Sequence, residues 1–255
     1  MKISIIMVTY NSEKTVRSSI NSIKNQKNIE LELVIIDGGS SDQTLNILKE
    51  YESIIDILVS EPDNGTYDAL NKGIKLCSGD ILGILHSDDI FANQKSLSNV
   101  SDIFLKYSCS VVFGNIEFFR GNLVKRKWIA GSFKLEELKN GWHPPHTSFF
   151  VRRKLVEENE IYYDLSYKIG ADLKWMINIL YIASDVIYLN KTLIYMRIGG
   201  ASTTLKGHLT SVKETYRTYK DLGFSIFRIT YIFYKRYIFK LKQLFIKTKI
   251  KLITD

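Results

Sequence analysis

The sequence predicts an α/β protein. A mostly parallel central sheet is covered by helices on both faces, as a three-layer α/β/α sandwich, and a C-terminal amphipathic helical tail follows. Three observations lead there. Short apolar runs alternate with amphipathic helical periods from residue 3 to residue 85. The runs are apolar at nearly every position, which marks strands buried on both faces and so a parallel sheet. The net charge of +8 is concentrated near the C-terminus, leaving the remainder close to neutral.

Taken in order, Ile3–Val8 reads as the first strand. Ser12–Gln26 is a helix with Val16, Ile20 and Ile23 on one face and Ser12 as N-cap. Leu31–Ile36 is the second strand, Gln43–Tyr51 a helix and Ile54–Val59 the third strand. Thr66–Cys77 is a helix burying Ala69, Leu70, Ile74 and Cys77, and Ile81–Leu85 is the fourth strand. Residues 110–135 read as short strands and turns, and an amphipathic helix opens at Gly170. At 255 residues with 45% hydrophobic and 24% charged residues, the chain has enough material for a full core. Cys77 and Cys109 lie in apolar surroundings without metal-ligand spacing and read as reduced, buried thiols of a cytosolic protein. Residues 1–9 lack the pattern of a signal peptide, and no window approaches about 18 uninterrupted apolar residues.

Ligands of such sheets bind at the carboxyl ends of the strands. Four polar clusters fall there: Thr9-Tyr10-Asn11, Asp37 to Asp42, Glu61 to Gly65, and His86 to Asp89. Adjacent carboxylates at Asp88 and Asp89 after a buried strand are costly unless their charge is offset. Mg²⁺ or Mn²⁺ bridging to a substrate phosphate offsets it, since such sites often use only one or two carboxylates. The other reading is a strand-ending turn that caps the next helix. The chain has neither G-x-G-x-x-G after its first strand nor G-x-x-x-x-G-K-[ST], which removes the main support for dinucleotide-binding and P-loop readings.

In their order and spacing these clusters resemble family 2 glycosyltransferases of the GT-A fold, over roughly residues 1–205. The resemblance rests on Val8-Thr9-Tyr10-Asn11, on Ile36 to Thr44, on Ser60 to Gly73, on Ser78-Gly79-Asp80 and on Ser87-Asp88-Asp89. The nearest group is the bacterial transferases that build O-antigen and capsule repeat units. The resemblance implies an inverting, metal-dependent transfer of a hexose or N-acetylhexosamine from a UDP-sugar donor to a lipid-diphosphate-linked saccharide. It implies Asp89, assisted by Asp88, as holder of Mn²⁺ or Mg²⁺, and Asp172 as the base. Donor and acceptor contacts are expected from Thr9, Tyr10, Asn11, Asp37, Gly65, Asp68, Asn71, Lys72, Asp88, His146 and Arg197. Asp37 would accept the N3–H of uracil, and Asp68, Asn71 and Lys72 share one helix face at i, i+3 and i+4. His146 would bond the leaving diphosphate or the acceptor, or else cap a turn. Arg197 with Gly199-Gly200-Ala201-Ser202 resembles a segment that closes over the donor. Three positions depart from the family pattern: His86 replaces the usual Asn or Asp, Leu70 the usual Arg, and Ala171 the first acid of a pair. A catalytically silent nucleotide-sugar sensor and a nucleotidyltransferase are the rival readings.

The expected domains are a GT-A unit over 1–222, with a nucleotide-sugar half (1–110) and an acceptor half (111–222), and a tail over 223–255. The tail holds Arg228, Lys235, Arg236, Lys240, Lys242, Lys247, Lys249 and Lys251 with no acid between Phe224 and Lys251. Phe227, Tyr231, Tyr234, Ile238, Leu241 and Phe245 recur at three- and four-residue spacings. This is the pattern of a helix lying in an anionic membrane interface, so the protein is expected to be cytoplasmic and peripheral on the inner face of the plasma membrane; the other reading is a helix packed on the catalytic domain with a solvated basic edge. A basic patch confined to a tail argues against a nucleic-acid partner.

Overall fold

Successive residues of the first strands point to opposite faces of one sheet and fill two apolar layers. Ile6, Val8, Val34 and Ile36 pack into one layer, and Ile3, Ile5, Met7, Leu33 and Ile35 into the other. The near-continuous apolar runs are thus explained by burial on both sides. The structure, a computed structural model, describes residues 1–199, 204–243 and 248–249.

The first half runs β1 (Lys2–Thr9), α1 (Val16–Lys24), β2 (Glu30–Asp37), α2 (Thr44–Lys49), β3 (Ile57–Ser60), α3 (Thr66–Leu76), β4 (Ile81–Ile84), β5 (Ile90–Phe91) and α4 (Ser96–Lys106). The second runs β6 (Val111–Arg120), β7 (Leu123–Trp128), α5 (Leu135–Leu138), β8 (Phe149–Arg152), α6 (Arg153–Glu158), α7 (Ala171–Ile182), β9 (Val186–Arg197), α8 (Leu205–Asp221), α9 (Ile226–Gln243) and β10 (Thr248–Lys249). Helix α1 starts later than expected. Ser12 does not cap it; its carbonyl instead accepts the N–H groups of Thr15 and Val16 in a preceding turn.

The sheet order is β10-β7-β6-β8-β4-β1-β2-β3, with β9 beside β6 and β5 beside β9. Strands β3, β2, β1 and β4 are parallel, as are β6 and β9, while β4–β8, β8–β6, β6–β7, β7–β10 and β5–β9 are antiparallel. The sheet is mixed, with its parallel strands holding the longer ladders. β8 arrives from a distant stretch of sequence and inserts between β4 and β6, a pairing that no local pattern announces.

Ser78-Gly79-Asp80 has a structural explanation. Glu32, buried in β2, accepts from the Ser4 and Ser78 hydroxyls, the N–H groups of Ser78 and Gly79, and the Lys2 ammonium. A Cβ on Gly79 would lie 2.5 Å from Ser4 Oγ and 2.8 Å from Ser4 N, so the turn has room only for glycine. Burial alone would raise the Glu32 pKa, but bonds from Ser4, Ser78 and Lys2 bring it down to about 2. A depressed carboxylate stabilises the fold above its unfolded pKa and ceases to do so as pH falls toward the folded value. Glu32→Gln is expected to cost about 3 kcal/mol at pH 7, from roughly two pKa units and a lost hydrogen bond. The gap to wild type should narrow as pH falls below about 4.5 and close toward pH 2. Denaturant melts across pH check this, and a cost independent of pH would refute it.

The region from 223 onward is not a separate appendage among the described residues. Ile229 and Ile232 of α9 are 2% and 0% exposed and join the core layer that contains Trp175. Arg228 donates to the Lys139 carbonyl at 3.0 Å and to Asn140 Oδ1 at 2.8 Å, and β10 pairs with β7. Outward, α9 leaves Phe227, Tyr231, Tyr234, Tyr237 and Leu241 exposed. Gly200, Ala201 and Ser202 of the expected closing segment, and Phe245, Lys247 and Lys251 of the tail, lie outside the described residues.

Candidate active site

The loops after β1, β2, β3 and β4 meet along one wall of a cleft of about 1350 Å³. The opposite wall comes from the second half, through His143, His146, Lys168 to Gly170, Asp172, Leu173, Arg197 and, from α9, Arg236. The four polar clusters read at the strand ends do converge. Their side chains lace the loops together. Asn11, in the left-handed region at φ 48°, a conformation asparagine tolerates, accepts the Ser41 N–H on Oδ1. The Asn11 N–H donates to Ser40 Oγ, and the Ser12 and Ser87 hydroxyls are 2.8 Å apart. Asp42 accepts the Thr44 N–H in the first turn of α2.

Asp37 sits at the centre of this lacing. It is fully buried and does not line the cleft. Oδ1 accepts from the Thr9 and Ser40 hydroxyls at 2.9 and 2.5 Å. Oδ2 accepts from the N–H groups of Gly39 and Ser40 and from the Ser60 hydroxyl, at 3.1, 2.9 and 2.8 Å. Burial would raise its pKa, but the bonds from Ser40, Ser60 and Thr9 hold it below the usual carboxylate range. The expected contact with uracil is therefore not open to Asp37 in this geometry: its lone pairs are spent on three strand-end loops. Thr9, Tyr10, Asn11, Gly38 and Gly39 line the cleft in its place.

The shared helix face on α3 also turns elsewhere. Asn71 is buried and makes a two-way bond with the Tyr163 backbone, 2.9 Å to O and 2.8 Å from N. Lys72 pairs with Glu61 at 2.8 Å and with Asp68 at 3.6 Å, while Asp68 accepts the Asn64 N–H. None of the three lines the cleft. The family-atypical Leu70 is a core residue that also reaches the cleft wall. Gly65, the residue before α3, does line it, at φ 107° with open space where a Cβ would stand.

After β4, Asp88 faces the cleft and Asp89 lies beneath it at 1% exposure. Asp89 Oδ1 accepts the Arg197 N–H at 2.9 Å; its Oδ2 is buried without a partner. Burial and the neighbouring charge of Asp88 push the Asp89 pKa well up, against the opposing pull of Arg197. The Arg197 side chain donates to the Asp88 carbonyl at 3.3 Å and lies over the Phe119 ring. Among the described residues no three His, Cys, Asp or Glu side chains gather to hold a metal. A carboxylate pair with an orphaned buried oxygen fits a Mg²⁺ or Mn²⁺ whose remaining ligands are substrate phosphates and water.

Across the cleft, Asp172 occupies the first turn of α7 and accepts the Leu173 N–H at 2.8 Å. Burial raises its pKa to about 6, against that hydrogen bond and the nearby Arg236 cation. Ala171, where the family has an acid, is wholly buried. Glu214 of α8 holds this helix start: its carboxylate accepts the N–H groups of Lys168, Ile169 and Gly170 at 2.7, 2.9 and 2.7 Å. Nothing in the local sequence marks Glu214, because the three donors lie about 45 residues upstream. In the sequence Arg236 is one of a row of basic tail residues; in the fold its Nη1 is buried without a partner.

His146 Nε2 lies 2.7 Å from the Tyr163 hydroxyl, beside a stack of Tyr67, Tyr163 and Trp175. Burial, with His86 and His143 nearby, lowers its pKa to about 3, so it serves as a neutral hydrogen-bonding group and brings no positive charge. His86, also on the cleft wall, is likewise lowered by burial.

A mixed sheet with this cleft at the carboxyl ends of its parallel strands is the architecture of a GT-A sugar transferase. The chain belongs to glycosyl transferase family 2, whose sequence profile matches residues 4–160, and it is a glycosyltransferase. It is 36% identical over 129 residues to the Escherichia coli UDP-Glc:alpha-D-GlcNAc-diphosphoundecaprenol beta-1,3-glucosyltransferase WfgD, covering 50% of this chain and 51% of that one. The match thus spans about half the length of that relative. A PGL/p-HBAD biosynthesis glycosyltransferase of Mycobacterium bovis BCG is 30% identical over 210 residues, 79% of each chain. S. aureus TarS 1-349 in complex with UDP-GlcNAc superposes with a TM-score of 0.68 at 21% identity, covering 85% of this chain and 66% of that one.

Proposed function

We propose that this glycosyltransferase moves a sugar from a UDP-sugar to a hydroxyl of a lipid-diphosphate-linked saccharide, with inversion at the anomeric carbon, during assembly of a surface polysaccharide. The carrying observation is the pair of groups facing one cleft. Asp172, with a pKa of about 6, stands on one wall and Asp88 on the other. A base poised near neutral pH is what deprotonation of a sugar hydroxyl needs. The oxygen so activated attacks the anomeric carbon from the side opposite UDP, which inverts the centre. His146 and Tyr163 orient the acceptor side. Thr9, Tyr10 and Asn11 form the nucleoside wall, and Arg197 fixes the loop that carries Asp88 and Asp89. Family members generally use a divalent cation. Asp88 and Asp89 would hold Mg²⁺ or Mn²⁺, whose chemistry when bound is to neutralise charge on the UDP diphosphate. The names of the Escherichia coli relative and of the TarS complex support the donor and acceptor classes.

The outer face of α9 supports a peripheral position on the inner face of the plasma membrane. Phe227, Tyr234 and Tyr237 are 85%, 61% and 62% exposed among basic residues. Among the described residues no helix is long and apolar enough to cross a membrane.

The test is a panel of UDP-sugars with a synthetic lipid-diphosphate saccharide, scored by mass spectrometry for UDP release and product. Asp88→Ala is expected to lower turnover by about 10²–10³-fold and to abolish the metal dependence of UDP binding. Undiminished wild-type turnover in excess chelator would overturn the metal assignment.

A further inference from the structure

A second cavity, of about 330 Å³, adjoins the cleft between β7, the loop after α5 and helix α9. Four cations line it, Arg126, Lys235, Arg236 and Lys240, against one carboxylate, the exposed Glu137. None of the four makes an ion pair among the described residues. Arg126 stacks on Phe118 at 3.6 Å, and burial lowers its pKa to about 10. Lys240 is lowered by burial and then by Arg236 and Arg126, so these cations are close enough to repel one another. Two buried donors on the lining residues, Arg236 Nη1 and Trp128 Nε1, have no hydrogen-bond partner, and neither does the Gln243 amide oxygen. A cluster of partly exposed cations without an ion-pair partner, closed on its inner side by two buried donors that bond nothing, is unfavourable alone and marks a site completed by an anion. Its other walls are aromatic, Trp128, Trp142 and Phe239. His143 and Arg236 line both this cavity and the cleft that contains Asp172.

We propose that this cavity binds the diphosphate of the lipid-linked acceptor, so that the first sugar extends past His143 and Arg236 toward Asp172 while the lipid chain runs out along the exposed aromatic face of α9. The inference rests on the lipid-diphosphate acceptor proposed above and adds the subsite that selects it. Four cations against one acid match a diphosphate better than the single charge of a phospholipid headgroup. Trp128 and Phe239 offer apolar walls for the first carbons of the lipid.

The test uses the full chain with Arg126→Gln, Lys240→Gln, the double variant, and Lys240→Arg as the charge-retaining control. Binding of dodecyl diphosphate is measured by calorimetry with UDP saturating, so it does not depend on turnover. The double variant should bind at least 30-fold more weakly and Lys240→Arg within threefold of wild type, with UDP affinity and melting temperature unchanged. In turnover, the KM for an alkyl-diphosphate-linked N-acetylglucosamine should rise at least tenfold, while an alkyl glycoside lacking the diphosphate should show no change. Equal dodecyl diphosphate affinity in wild type and double variant overturns the proposal, as does equally tight, equally variant-sensitive binding of phosphatidylglycerol micelles. If wild type binds dodecyl diphosphate here but transfers sugar to no lipid-diphosphate acceptor, the cavity stands and the proposed function falls.

Discussion

Asp172→Asn is expected to lower turnover by about 10²–10⁴-fold while leaving UDP affinity within a few-fold, because the amide keeps the shape and loses the proton acceptor. The same change should make the protein more stable above neutral pH. Burial raises the Asp172 pKa from 3.8 to about 6, so the folded state holds this proton more tightly than the unfolded chain does. Stability from such a group is fully present below the unfolded pKa and is lost as pH rises through the folded one. Two units correspond to about 3 kcal/mol as an upper figure, which the asparagine variant should recover at pH 8 and lack at pH 4. Turnover of the wild type should rise with pH through about 6 and then level off, because the base must be ionised. Denaturant melts at the two pH values, beside single-turnover rates, check both halves. A variant with near wild-type turnover would reduce Asp172 to a helix-dipole residue.

A chain ending at Gly223 is expected to be insoluble or largely unfolded. Without α9, Ile229 and Ile232 leave the core and Gly141 loses the side chain it packs against, since a Cβ there would lie 2.5 Å from Ile232 Cγ2. Burying an Ile is worth about 1.5–3 kcal/mol, so the two account for much of a net stability of about 5–15 kcal/mol. Ile232→Ala in the full chain should cost about 2–5 kcal/mol. Phe227→Ala, on the exposed face, should leave stability nearly unchanged while weakening sedimentation with anionic liposomes. Circular dichroism and melting curves settle the stability expectations; a chain ending at Gly223 that melts like wild type would refute the first.

The contrast within α9 shows where the sequence stops being informative. Its aromatic and basic spacing is plain in the sequence, but a helix with apolar side chains on two sides has one face for protein and one for lipid, and spacing does not say which. Ile229 and Ile232 look like any other apolar pair there, and Arg236 like any other cation of the row. The first four strands were legible because burial on both faces makes their runs continuously apolar. The strand-end clusters were legible because parallel strands place their carboxyl ends together. Asp37 shows the limit of that reasoning. Its position was right, but its partners Thr9 and Ser60 come from other strand ends, and only the fold reveals that five donors already occupy it. Glu214 carried no signal, because its hydrogen bonds join α8 to a loop far upstream.

The joint between the two expected halves has a mechanical consequence. β4 and β5, from the first 110 residues, are hydrogen-bonded to β8 and β9, and the Arg197 N–H closes on Asp89. Among the described residues these two strand pairings and that one closure tie the halves together at three points around the cleft. The wall that carries Asp88 and the wall that carries Asp172 are thus referenced to one shared sheet ladder. Adaptation to a new sugar or acceptor falls to the side chains and loops on that ladder's rim, which can drift without misaligning the reacting groups.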